Sequence, residues 1–236
     1  MRNSHSILPI LLLLFLYCPY SATAQDDVVY RLELGGAVGV GFSLNDVNAR
    51  FYGNSNLAAG LIARFPLNPR MAVKTGFSFN NLKGSTNGLT DFYPANPDLP
   101  GEERLRYEMS GGIYDFCALY ELHFLPYGWE KGYQGYSRIT PYIQAGLGLA
   151  YGTPGKAFTA SFPVGVGLKW KVKNRLNLGL DWRFHFTAND KLDGLEAPHG
   201  IKSSEFRNKD HFCQTLVTLT YDLSPKCPTC NKDNKY

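Results

Sequence analysis

Between Thr159 and Phe186 the chain reads TASFPVGVGLKWKVKNRLNLGLDWRFHF, and every second residue is apolar along both halves of it. In the first half Phe162, Val164, Val166, Leu168, Trp170 and Val172 share one face, while Ser161, Pro163, Gly165, Gly167, Lys169 and Lys171 share the other. That is the period of a β-strand. A polar turn at Lys173, Asn174 and Arg175 follows. The second half then sets Leu176, Leu178, Leu180, Trp182, Phe184 and Phe186 against Asn177, Gly179, Asp181, Arg183 and His185. The spacing predicts a long β-hairpin, aromatic on one face and glycine-rich and charged on the other. Each arm is close to the ~9–11 residues that a tilted strand needs to cross a bilayer.

The same alternation recurs along the chain. It predicts strands over Arg31–Ser43, Asn56–Phe65 and Met71–Asn81, and a fourth that starts near Leu105 and is clearest over Tyr114–Phe124. Further strands follow over Ile139–Tyr151, along the two hairpin arms, and over His211–Leu223. Pro66-Leu67-Asn68-Pro69 reads as a tight turn. Eight strands is an even number, as single-chain outer-membrane barrels of bacteria require. The expected fold class is therefore all-β: an eight-stranded antiparallel transmembrane β-barrel of the outer membrane, with lipid around it. With a periplasmic N-terminus, the outer connections are 44–54, 83–103, 152–158 and 187–210, and the inner turns are 66–70, 126–138 and 173–175. The turn at 126–138 is long for its side. Its aromatic residues Tyr127, Trp129, Tyr133 and Tyr136 make it a candidate contact for a periplasmic partner.

Targeting agrees with that placement. Arg2 and His5, an apolar run from Ile7 to Leu16 and Ala22-Thr23-Ala24 read as a signal peptide over residues 1–24, cleaved before Gln25. Tyr17 is too large for the residue that precedes a lipid-attachment cysteine, which argues against acylation of Cys18. The barrel is expected over residues 25–223 and a cysteine-containing periplasmic tail over 224–236. No later stretch has the ~18 uninterrupted apolar residues of a transmembrane helix. The 24 basic and 20 acidic residues are spread along the chain, so no patch suits nucleic acid. The 24 glycines and 30 tyrosines plus phenylalanines suit a tightly curved sheet.

An eight-stranded barrel has an interior just wide enough for side chains to fill. The inward-facing charges are Arg31, Arg64, Lys74, Lys169, Lys171 and Arg183 with Glu33, Asp115, Glu121 and Asp181. Mixed signs in a dry lumen have to pair, because an isolated buried charge is costly. We expect Glu33, Arg64, Lys74, Asp115, Glu121, Lys169, Asp181 and Arg183 to form a structural ion-pair network. His185 and Asp181 share a face of their strand and are expected to pair there. The same pattern turned inside out would give a soluble lipocalin-like or ligand-binding barrel, the alternative fold.

Other residues carry weaker chemical signals. His211 and Cys213 share a strand face and could act as base and nucleophile, but nothing in the sequence supplies the orienting third group. Asn189–Gly194, NDKLDG, lacks the distal glutamate of a calcium loop. Cys227-Pro-Thr-Cys230 lacks the context of a redox motif, and in an oxidising periplasm a disulfide, within the tail or to a partner, suits it better. Cys117, Cys213, Cys227 and Cys230 allow three complete pairings. The sequence points to no catalytic residue, cofactor, metal or small-molecule substrate.

Three segments together carry a family likeness: RITPYIQAGLGLAYG, SFPVGVGLKWKVKNRLNLGLDWRFHFTANDKLDG and HFCQTLVTLTYDLSPKCP. The chain resembles the PorG-like outer-membrane β-barrel family of Bacteroidota, associated with the type IX secretion system. The likeness covers most of the mature chain and is strongest from Ile139 onward. It implies a non-enzymatic barrel in the outer membrane of a Gram-negative bacterium. In that setting the barrel would tie a periplasmic ring, a lipoprotein and its partner protein, to the membrane, with the cysteine tail on the periplasmic side.

Overall fold

The computed structural model describes residues 30–45, 48, 51–85, 108–129, 135–189, 192, 194 and 209–225. Eight strands make it up: β1 (Tyr30–Leu44), β2 (Asn56–Asn68), β3 (Met71–Ser85), β4 (Glu108–His123), β5 (Ile139–Gly152), β6 (Ala157–Lys171), β7 (Leu176–Thr187) and β8 (His211–Pro225). Each pairs antiparallel with its sequence neighbours, and β1 pairs with β8 from Tyr30↔Pro225 to Leu44↔His211, so the sheet closes into a barrel without an edge. Both termini of the barrel leave from one mouth, called here the terminal mouth; the other is the far mouth.

Several strands outrun the alternation that predicts them. β2 continues through Pro66 to Asn68, where a register shift accommodates a proline that has no N–H to give the ladder, and the turn is only Pro69 and Arg70. β3 runs to Ser85 because Lys83, Gly84 and Ser85 pair with Ser110, Met109 and Glu108 at the start of β4. Backbone pairing, indifferent to side-chain polarity, carries these strands past the apolar pattern. The inward glycines let the wall curve. A Cβ on Gly146 would stand 1.9 Å from the Ala118 carbonyl oxygen, and one on Gly39 would stand 2.0 Å from that of Thr215.

The apolar face points outward. Leu57, Leu61, Leu147, Leu149, Phe116, Phe158, Val166 and Leu219 are all more than half exposed, while Glu33, Arg64, Lys74, Asp115, Glu121, Asp181 and Arg183 are buried. In water this arrangement would be inverted, so the lipocalin-like alternative fails. Strands of 12–16 residues rising ~3.3 Å per residue and tilted ~40° stand roughly 30 Å tall, enough for a hydrocarbon core. Aromatics gather toward both mouths: Tyr151 with Phe158 and Phe184 with Phe186 at the far one, Trp170 and Tyr221 at the terminal one. The fold is that of a membrane-type barrel. Phe42 faces outward as its parity demands, yet it is buried beneath Phe51 and Tyr52, whose ring centres lie 5.6 and 4.7 Å away. Tyr52 is held against the wall by a hydrogen bond between its hydroxyl and that of Thr215, 2.9 Å apart.

Inside, the far mouth is closed by an apolar plug of Leu82, Met109, Ile113, Ala150, Leu192 and Phe212. Leu192 comes from the β7–β8 connection, where its N–H donates to Asp210 Oδ2 at 2.7 Å.

Candidate functional site

The lumen holds three polar groups between the plug and the terminal mouth. The central one is a chain of six of the charges picked out by parity. Lys169 Nζ lies 2.5 Å from Glu33 Oε2, and Glu33 Oε1 accepts from both Arg64 and Thr220. Arg64 grips Glu121 with Nε at 2.6 Å and Nη2 at 3.1 Å. Lys74 Nζ then joins Glu121 at 2.8 Å to Asp181 at 2.9 Å, and Asp181 Oδ1 also accepts from Tyr142 and, at 3.2 Å, from Gln144.

Register explains the order of this chain. Arg64 sits directly opposite Lys74, and Glu33 directly opposite Asp222, two like-charge pairs that would repel on neighbouring strands. Glu121, next along on β4, reaches between Arg64 and Lys74 and neutralises both. Lys169 takes Glu33 while Lys171 takes Asp222 at 2.6 Å, which resolves the second pair.

The second group guards the terminal mouth. Asn177 Nδ2 donates to Asp222 Oδ1 at 2.8 Å, and Tyr127 OH donates to Asn177 Oδ1 at 2.6 Å. Lys169 and Lys171 lie over the Tyr127 ring, 4.3 and 5.1 Å from its centre. Burial, reinforced by the Glu33 charge, raises the Tyr127 phenol well above its ordinary value. Of the aromatic turn, Tyr127 is therefore folded into the lumen. Trp129 stacks under Arg138 at 4.1 Å, and Trp129 and Tyr136 line a cleft of about 80 Å³ with Tyr30, Pro69 and Lys171. Tyr133 lies outside the described residues, as do the signal peptide, Cys227 and Cys230.

The third group lies under the plug: Asp115, Cys117 and Arg183 with Ser78, Asn80, Ser161, His185 and Gln214. Arg183 donates to Gln214 at 2.8 Å and to the Cys117 sulfur at 3.4 Å, not to a carboxylate. Asp115 and Arg183 thus stand outside the six-membered chain. His185 stands 3.4 Å from Asp115, not beside Asp181, because side chains four apart on one strand are spread along the barrel axis, whereas Asp115 faces His185 across the lumen.

Two further expectations change. Cys117 lies inside the lumen, whereas Cys213, paired in register with outward-facing Phe42 and Phe184, lies on the other side of the wall, so they cannot bond to each other. Arg31 has inward parity but is exposed at the rim, where β1 starts. His211 does share the outward face with Cys213, but its ring packs against Phe184 and Phe186 at 5.7 and 5.5 Å and its Nδ1 accepts from the Thr187 N–H at 3.2 Å. This leaves it facing the lipid side with phenylalanines for company. Asp222, Tyr142, Asn177, Thr220 and His123 complete the lumen and were not picked out in sequence. Asp222 shares the parity of Thr218 and Thr220 on β8, which is the signal that could have found it.

Fold and lumen together define a closed, filled β-barrel with a lipid-facing outer wall. The chain belongs to the family described as Domain of unknown function (DUF6089), which it matches over residues 7–232. No curated protein matches it. Solved barrels superpose at low identity. Neisserial surface protein A gives a TM-score of 0.47 at 10% identity over 81% of this chain and 97% of that one. Ail, the attachment invasion locus protein of Yersinia pestis, gives 0.42 at 10% over 82% and 97%. OprG of Pseudomonas aeruginosa gives 0.41 at 12% over 85% and 99%.

Proposed function

We propose that the protein is a non-enzymatic barrel of the Gram-negative outer membrane that anchors a periplasmic ring, a lipoprotein and its partner, within the type IX secretion machinery. The observation that carries this reading is the lumen, which is closed by the apolar plug and crossed below it by a continuous chain of paired charges. A barrel so filled has its outer wall for lipid and its two mouths for recognition. The terminal mouth, taken as periplasmic, offers the Trp129–Tyr136 cleft and exposed cations from the start of β1 and from each of the three turns that border it: Arg31, Arg70, Arg138, Lys173 and Arg175. The resemblance of Ile139 to Pro228 to PorG-like barrels supplies the identity of the partner.

The tail cysteines fit the same role. Cys213 is twelve residues up β8 from Pro225, roughly 40 Å along the strand. A chain leaving at Pro225 cannot return that far within the five residues to Cys230. That directs Cys227 and Cys230 to each other or to a partner. The test is a crosslinking pull-down through the barrel from intact envelopes, with and without reductant. Recovery of a lipoprotein ring component supports the reading. Intact secretion of type IX cargo in a deletion strain, with no ring component recovered, sinks it.

A further inference from the structure

Of the five buried lumen cations, Arg64, Lys74, Lys169 and Lys171 each hold a carboxylate, and Arg183 does not. Of the five carboxylates buried on the described strands, Glu33, Glu121, Asp181 and Asp222 each hold a lysine or arginine, while Asp115 has His185 and the Ser161 hydroxyl, both at 3.4 Å, and no lysine or arginine. The unmatched cation and the unmatched anion lie in the same layer. Around them, Asn80 Nδ2 and Oδ1, Asp115 Oδ2, Gln144 Oε1, Arg183 Nε and both His185 nitrogens are buried and make no hydrogen bond to protein. Among the described residues, no other buried side-chain nitrogen or oxygen lacks a hydrogen-bond partner.

We propose that this layer is an internal water-binding site, in which ordered water bridges Asp115 to Arg183 and takes up the free valences of His185, Asn80 and Gln144. Charge selects water as the ligand. Asp115 and Arg183 cancel, so an ion placed here would itself be an uncompensated buried charge, while water supplies both donors and acceptors. Chemistry agrees, since Arg183 Nε can only donate, Asp115 Oδ2 and Gln144 Oε1 accept, and an amide does both. A Cβ on Gly76 would stand in ordinary contact, 3.7 Å from the Cys117 sulfur and 3.8 Å from Arg183 Nη1, so the wall beside the guanidinium accommodates one group the size of a methyl or a water. The apolar plug seals the layer on one side and the six-membered ion chain on the other.

A crystal structure of the full barrel at a resolution that places ordered solvent tests this directly. Water within hydrogen-bond distance of both Arg183 Nε and Asp115 Oδ2 is the expected result. Direct contact between the two side chains, or an ion of either sign in the layer, overturns the proposal. A second measurement is radiolytic hydroxyl-radical labelling of the folded barrel in detergent, which marks side chains that touch bound water. Cys117 should be oxidised faster than Met109, the sulfur in the dry plug, and equal or slower labelling of Cys117 overturns the proposal as well.

Discussion

Glu121 sets the charge balance of the lumen. It stands between two cations that the ladder places face to face, so its loss exposes each to the other. Glu121→Leu is expected to destabilise the barrel by about 3–5 kcal/mol, the cost of leaving a buried charge without its partner. The second substitution Lys74→Met restores neutrality to the remaining chain and should recover part of that loss; urea titration of the gel-mobility shift between folded and unfolded barrel measures both. Gly146 sets a steric limit instead. Gly146→Val places a branched side chain where the Ala118 carbonyl stands 1.9 Å from a Cβ, and folded barrel should fall sharply in the same assay. The charged residues were legible in the sequence because parity on a strand is unambiguous. Their pairing was not, since it depends on which side chains cross the lumen. His185 facing Asp115 across the barrel, not Asp181 four residues away, is the clearest instance.

Among the connecting segments, the turn at 126–138 departs furthest from its sequence appearance. Its aromatic composition suggests an outward surface, but Tyr127 closes the lumen while Trp129 and Tyr136 line the cleft at the mouth. The buried phenol has a consequence for alkaline stability. Its pKa is raised on folding, so its contribution is complete below the ordinary value of 10.0 and is lost as pH rises above it. Wild type should therefore lose stability above about pH 10 more steeply than Tyr127→Phe. At neutral pH the same substitution should cost about 0.5–1.5 kcal/mol, the worth of one hydrogen bond, because Asn177 Oδ1 keeps Lys171 Nζ as a donor at 3.2 Å. Urea midpoints for the two proteins across the alkaline range give both results. Strand ends were the least legible elements: Lys83–Ser85 and Pro66–Asn68 continue their ladders without apolar alternation to announce it. The cover over Phe42 was likewise hidden, since a loop must fold back before Phe51 and Tyr52 reach the wall.

For the molecule as a whole, a plugged and cross-linked lumen predicts no unit conductance when the purified barrel is reconstituted in planar bilayers. Removing Tyr127 and Leu192 together, as alanines, should still give none while the six-membered ion chain stands across the middle. Discrete channel openings in the wild-type protein would overturn this account of the interior. The architecture itself was legible almost entirely, because a period-two pattern repeated eight times with inward glycines has few closed solutions.

Glu33 belongs to β1, and its partners Arg64, Thr220 and Lys169 belong to β2, β8 and β6. A growing sheet that has not yet joined its first strand to its last holds this carboxylate without Thr220, and with Lys169 still on a distant strand. With Arg64 alone for a partner, the carboxylate then resists entry of the open sheet into hydrocarbon, and the resistance falls when the ring shuts. Insertion and closure are therefore expected to proceed as one cooperative event.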